Sequence, residues 1–428
     1  MSTVLGTVVI ARHGDRSLFP EDPYTYKGPV TESTPLGQAE SHQLGGNLRS
    51  LYLNPSSESF VSGIKRDLVD PKQIQVYAKN GGEGNVVFDS TIALLQGLFP
   101  PTERNTLTLA NGTTVTAPLH GYQYVPVETV EPANDKSLES WLDCPAFEKH
   151  IKEFYDSEEF KRKAEESKPV LESFRDYVYG RSLKLENAWN LYDYISTQLT
   201  YNQTFAYRLP PHVLERARTL ANYHENGIFS DSKPSGIGNI AGRTTLHLVL
   251  DALERMGFEQ DPLKFSLIET TYQPLISLFH EIEAVDANPA LKSIPNFASA
   301  ITIELRKTLP PDVRPMIRLR FKNGTQADWE PLHAYGHRGD IPLTEFIYRA
   351  KGGAISNNRQ WAQVCGVPEG RKPIHTYATG PTSGLCAFVL FALVWLSVRL
   401  IKRRSASKRQ ESSTAMKEKN PLLDDSVA

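Results

Sequence analysis

Five residues, Arg12-His13-Gly14-Asp15-Arg16, leave the apolar run Thr7-Val8-Val9-Ile10-Ala11 and set an imidazole between two guanidinium groups. The β-branched residues favour an extended strand, and glycine lets the chain turn out of it. In open α/β sheets ligands gather beyond the carboxyl ends of strands, which is where His13 would stand. Arg12 and Arg16 stay charged at every biological pH and offer planar pairs of donors to phosphoryl oxygens. They also disfavour a proton on His13, which keeps the ring neutral and nucleophilic in mildly acidic surroundings. The pattern predicts a phosphate site with a built-in nucleophile. An arbitrary Arg-His pair is more often a basic surface turn; the preceding strand, both arginines and the glycine favour the site.

Pro20 and the helix start Thr34-Pro35-Leu36-Gly37 follow in order. Together with the Arg12 to Arg16 motif they resemble the histidine acid phosphatase family of the phosphoglycerate-mutase-like superfamily, in its fungal, membrane-anchored type. The resemblance runs from about Thr7 to Phe346 and closes with Pro295-Asn296-Phe297-Ala298-Ser299, a strand Ile301 to Leu305, and Pro342-Leu343-Thr344-Glu345-Phe346. It implies an α/β fold, a three-layer sheet domain with an inserted helical cap. It also implies phosphomonoester hydrolysis through a phosphohistidine on His13, with Arg12 and Arg16 holding the phosphate.

Two departures from the family pattern bear on activity. Family members take the leaving-group proton from the acid of a His-Asp or His-Ala-Glu motif after a later strand. Here Phe265-Ser266-Leu267-Ile268-Glu269-Thr270-Thr271 puts Glu269 in the acid position and Ile268 in place of the histidine. Apolar neighbours raise a carboxyl pKa toward working pH, so Glu269 is the expected general acid, with weaker or altered turnover. As a helix N-terminal acid it would need no catalytic role. The family's third phosphate-binding arginine is also missing: Val76 to Val86 contains none, and Lys79 is the stand-in, with Gly81, Gly82 and Gly84 exposing backbone N–H groups. As a loop signal the glycines are weak, and an ordinary turn explains them better.

Other clusters carry less. His280-Glu281 sits three turns down the helix that starts at Thr270, too far from the strand end. His333 to Asp340 echoes the motif but follows no apolar strand, and reads as a loop before the last helix. His42 lies on the helix beginning at Thr34 and Pro35. No Cys, His, Asp or Glu spacing suits a metal, and no cofactor is expected.

With 428 residues, 40% of them hydrophobic, and a formal charge of -2, the chain has ample material for a core. It has no basic excess for nucleic acid. Strand-like runs at Thr7 to Ala11, Gln73 to Ala78, Lys264 to Ile268, Ala300 to Leu305 and Pro315 to Phe321 bracket a helical middle. A sheet domain within 1–380, with a cap at about 135–260, is the architecture this predicts.

From Gly384 to Val398 the chain is uncharged and apolar, and residues 381–401 give a span long enough for a bilayer. Lys402, Arg403, Arg404, Lys408 and Arg409 follow, so the positive-inside rule assigns 402–428 to the cytoplasm and the catalytic domain to a lumen or the outside. The sequons at Asn111, Asn202 and Asn323 agree. The first strand starts too early for a signal peptide, which favours either a trimmed N-terminus or insertion by the tail. Glu418 to Leu423 resembles an acidic dileucine signal for a sorting adaptor, which points to a vacuole or lysosome if not the cell surface. Cys144 and Cys365 permit one disulfide, their pairing left open.

The expected partners are a phosphomonoester substrate and a membrane. Two rivals to the phosphatase reading stand: a phosphate-binding or adaptor protein without turnover, and a mutase moving phosphate between hydroxyls. Mutases are typically compact and soluble, and the span counts against the second.

Overall fold

The computed structural model describes residues 2–368 apart from Ser232 and residues 309–312. The expected span, tail and sorting motif lie outside the described residues. Among the described residues no helix is long and apolar enough to cross a membrane.

The strands are β1 (Ser2–Arg12), β2 (Ile74–Lys79), β3 (Thr106–Thr108), β4 (Thr114–Thr116), β5 (Glu128–Val130), β6 (Phe265–Thr270), β7 (Ala300–Thr308), β8 (Pro315–Lys322), β9 (Glu330–Pro331) and β10 (Ile341–Pro342). Apart from the small β3–β4 hairpin they form one mixed sheet in the order β10-β8-β7-β1-β6-β2-β5, with β9 pairing β8. β6 lies parallel to β1 and to β2, while β7 runs antiparallel to β1. From Gly6 onward β1 is buried throughout, as its unbroken run of apolar residues requires of a strand covered on both faces.

Helix α1 (Pro35–Tyr52) and helix α2 (Gly84–Leu98) cover one face, where Leu44, Leu48, Leu94 and Leu98 pack with Val9, Ala11 and Leu267. The helices Ile240–Gly257 and Tyr272–Glu281 cover the other, where Leu246, Leu253, Leu275 and Phe279 pack with Val8, Ile10 and Ile268. The helical middle has its own core. Phe147, Phe160, Trp189, Leu220 and Phe229 come together from the helices Pro145–Asp156, Glu158–Glu172, Ala188–Tyr201 and Pro211–Ile228 and the residue that follows the last. The expected cap range of 135–260 also takes in Ile240–Gly257, a helix that packs on the sheet through its apolar side.

Cys144 and Cys365 form a disulfide that ties the start of the first cap helix to the end of the helix Asn358–Cys365. That helix follows Leu343–Gly353, so the loop His333 to Asp340 precedes two helices, not one as its sequence suggested. The loop is held by structural ion pairs: Arg318 donates to Asp340 at 2.7 Å, and His337 lies 2.9 Å from Glu345.

Candidate active site

β1 ends at Arg12 in the middle of the sheet, and the chain leaves through a crowded turn. Gly14 is needed there for space, not as the hinge its type suggested: its φ is negative, but a Cβ would lie 2.0 Å from the Gly37 carbonyl oxygen. Gly37 is equally constrained, its own Cβ falling 2.0 Å from the Asp15 carbonyl. The start of α1 thus presses directly on the motif loop. Thr34 caps that helix, its Oγ1 accepting from the Gly37 N–H at 3.1 Å, and donates to Asp15 Oδ2 at 2.7 Å. Tyr201 of the cap also donates to Asp15 Oδ2, so this carboxylate joins loop, α1 and cap.

His13 is fully buried. Its Nδ1 lies 2.7 Å from the Gly14 carbonyl oxygen, which only a protonated Nδ1 can satisfy; the lone pair is then on Nε2. Nε2 has no hydrogen-bond partner. Burial foremost, with Arg12 and Arg16, pulls the imidazole down to about 3 against the opposing pull of Glu83. A neutral ring with an unpaired Nε2 is a nucleophile in waiting.

The Arg12 guanidinium lies 4.1 Å from the Phe297 ring centre and 5.2 Å from that of Tyr272, and Nη1 donates to the Pro295 carbonyl. Its Nε has no partner, and burial, with Arg16 nearby, lowers its pKa to about 10. Arg16 is buried among acids. Nε donates to Glu83, Nη1 donates to Asp193 Oδ1 at 3.0 Å, and Nη2 is unpaired. Burial works against its charge, but Asp193 and Glu83 outweigh it and hold the group above its ordinary value.

Glu83 immediately precedes α2 and was not singled out from sequence, where its only signal is the run Gly81-Gly82-Glu83-Gly84. Its carboxylate sits on Arg16 and 3.6 Å from His13 Nε2. Burial favours a proton on it, yet Arg16 and the neighbouring His13 and Lys79 outweigh this and bring it down to about 2. An anion therefore stands against both His13 and Arg16. Lys79, at the end of β2, is buried, donates to Gly81 O at 2.8 Å, and pairs with Glu139 at 2.7 Å. It belongs to the same charged cluster through Glu83. Asp193 and Glu139 were not foreseen either, since nothing local marks a carboxylate whose partner, Arg16 for one and Lys79 for the other, lies far off along the chain.

Glu269 faces Ala11 of β1 and Ala78 of β2 across the sheet, two residues behind His13 in register. It is fully buried, both carboxyl oxygens lack a partner, and burial alone raises its pKa well above the usual range. Among the described residues no hydrogen bond or ion pair joins it to His13, Arg12 or Arg16. Glu281, the lesser alternative, is occupied in structure, its Oε2 accepting from the Ser235 N–H at 2.9 Å. Asn111 is exposed in a turn. Asn202 is exposed but caps the helix Gln203–Arg208 through its Oδ1, and Asn323 Oδ1 accepts from the Asn296 N–H at 2.9 Å. Among the described residues no group of three or more metal-ligating side chains is assembled.

Residues 3–210 match the family model described as "Histidine phosphatase superfamily (branch 2)". The chain is 24% identical over 414 residues to the lysosomal acid phosphatase of Homo sapiens, which covers 93% of this chain and 88% of that one. It is 22% identical over 370 residues to the prostatic acid phosphatase of Bos taurus, covering 84% and 87%. Among solved structures it is similar in fold to a phytase from Citrobacter braakii, with a TM-score of 0.59 and 13% identity over 84% of this chain and 99% of that one.

Proposed function

The chain belongs to branch 2 of the histidine phosphatase superfamily, and from that premise we propose that it hydrolyses phosphomonoesters through a phosphohistidine on His13. The observation that carries this reading is the neutral, buried imidazole with a free Nε2 between two guanidinium groups. Nε2 attacks phosphorus as the bond to the ester oxygen breaks, and Arg12 and Arg16 stabilise the charge on the transferring group. Glu269, held protonated by burial, gives its proton to the departing oxygen. Water then attacks the phosphohistidine, Glu269 takes back a proton, and inorganic phosphate leaves.

Rapid alkaline quench with labelled substrate should trap phosphate on His13, and His13→Ala should abolish both the label and turnover, a loss of about a thousandfold or more. Hydrolysis that survives His13→Ala would end the proposal. A second reading, a phosphate-binding protein without turnover, is favoured by Ile268 and by the carboxylate of Glu83 on Arg16. It expects phosphate binding with no label on His13.

We further propose that the domain works in a lysosome-like or vacuolar lumen, anchored through residues 381–401. The cysteine bridge, the three sequons, the cationic flank at 402–409 and the lysosomal name of several relatives support this. Protease treatment of sealed vesicles should remove the tail and spare the domain.

A further inference from the structure

Beside the nucleophile lies a cavity of about 250 Å³ lined by Phe19, Glu21, Tyr26, Lys79, Glu83, Glu139, Trp141 and Gln273 among others. It is smaller than sites that take drug-sized ligands, so what enters it is small. Its buried polar atoms without a partner are all acceptors: Glu21 Oε2, Glu139 Oε2 and Gln273 Oε1, on side chains 7%, 4% and 1% exposed. Its one buried cation, Lys79, is already committed to Glu139 and the Gly81 carbonyl. Such a cavity presents unpaired acceptors to the donors of a ligand.

Charge points the same way. The carboxyl groups that line the cavity are Glu21, Glu83 and Glu139; the lining cations are Lys79 and the exposed Lys27, which is paired with Asp143 at 2.8 Å. A phosphate dianion placed there deepens the negative excess unless the substrate brings a positive charge of its own. Burial foremost, with Glu83 and Glu225 near, lifts Glu21 well above the usual carboxylate range against the pull of Arg16, and a ligand cation beside it would favour its charged form. Aromatic faces of Phe19, Tyr26 and Trp141 line the same space and suit an ammonium.

Resting on the phosphatase reading, we propose that the preferred substrates are phosphomonoesters of short amino alcohols, their ammonium group held by Glu21, Glu83 and Glu139 in this cavity. Binding is an exchange of ions. The substrate phosphate takes Arg16 from Glu83, and the substrate ammonium takes Glu83. Because Glu83 lies only 3.6 Å from Nε2, a cation two or three carbons from the ester oxygen reaches it. The products are the free amino alcohol and inorganic phosphate.

The test compares 2-aminoethyl phosphate with ethyl phosphate, which lacks the cation, and with glycerol 2-phosphate, which supplies uncharged donors. On the full chain, kcat/KM for 2-aminoethyl phosphate should exceed both others by about tenfold or more. Glu21→Gln and Glu139→Gln should each shrink that ratio by several fold. Equal values for all three, a ratio equalled by glycerol 2-phosphate, or a ratio unchanged in both variants overturns the proposal. If no substrate is turned over, or turnover survives His13→Ala, the phosphatase reading has failed instead. The same ratio is then read from calorimetric Kd values for the three compounds, with the same outcomes deciding.

Discussion

His13, the proposed nucleophile, also carries a stability cost. In the folded chain it takes a proton only near pH 3, whereas an unfolded histidine takes one near 6.5. Between those values the unfolded state binds more protons, so this residue makes stability rise with pH and fall on acidification, by up to about 1.4 kcal/mol per pH unit. His13→Asn should remove that slope, seen as a smaller difference in denaturation free energy between pH 6.5 and pH 4.5. Glu269 has the opposite sign. Its folded pKa lies above that of the unfolded chain, so it costs stability as pH rises past the ordinary value of 4.5. Glu269→Gln should therefore stabilise the protein by about 1–3 kcal/mol at pH 7, with the gain vanishing toward pH 4.5, while lowering turnover. Glu83→Gln should make inorganic phosphate a several-fold tighter competitive inhibitor, because a neutral amide competes poorly for Arg16. An unchanged inhibition constant would mean that Glu83 does not stand in the way of phosphate.

Among the elements, the turn between β1 and α1 decides whether these residues meet. Gly14 and Gly37 touch backbone to backbone, and Gly37→Ala has no flexible side chain to push aside. It should cost about 3 kcal/mol in urea denaturation and lower kcat along with stability. Much of this level was legible in the chain. The β-branched run announced β1, and the Thr34-Pro35 pair announced α1 through a side-chain cap that the structure shows. The three motif residues His13, Arg12 and Arg16 come together because they share one turn. What was not legible depends on long-range packing. Glu83 and Asp193 reach Arg16 from 67 and 177 residues away. Glu269 was found through its resemblance to the acid position of the family's second motif, but neither its isolation from hydrogen-bond partners nor its position behind His13 follows from local pattern. The end of the cap was blurred for a related reason: Ile240–Gly257 has the same helical periodicity as its neighbours, and only its partners show that it belongs to the sheet.

For the whole molecule, the bridge between Cys144 and Cys365 closes a span of 221 residues and fastens the helical middle to the helix Asn358–Cys365, whose Trp361 packs in the same core. Reduction, or Cys144→Ser with Cys365→Ser, should lower unfolding free energy by about 2–5 kcal/mol, read as a shift of the denaturant midpoint between oxidised and reduced protein. An unchanged midpoint would show that the cap's own core suffices.

The order of strands reaches further still, to how the molecule is made. β1 is synthesised first, yet the two strands that flank it, β6 and β7, begin at Phe265 and Ala300. A growing chain therefore carries this apolar strand, with His13 just beyond its end, with no flanking strand to join until more than half of the protein exists. Birth from the ribosome is a long exposure for such a segment, one that invites sticking to other chains and calls for a chaperone to shield it. Fragments ended before Phe265 would lack both neighbours of β1, so the turn that carries His13 would have no sheet to hold it.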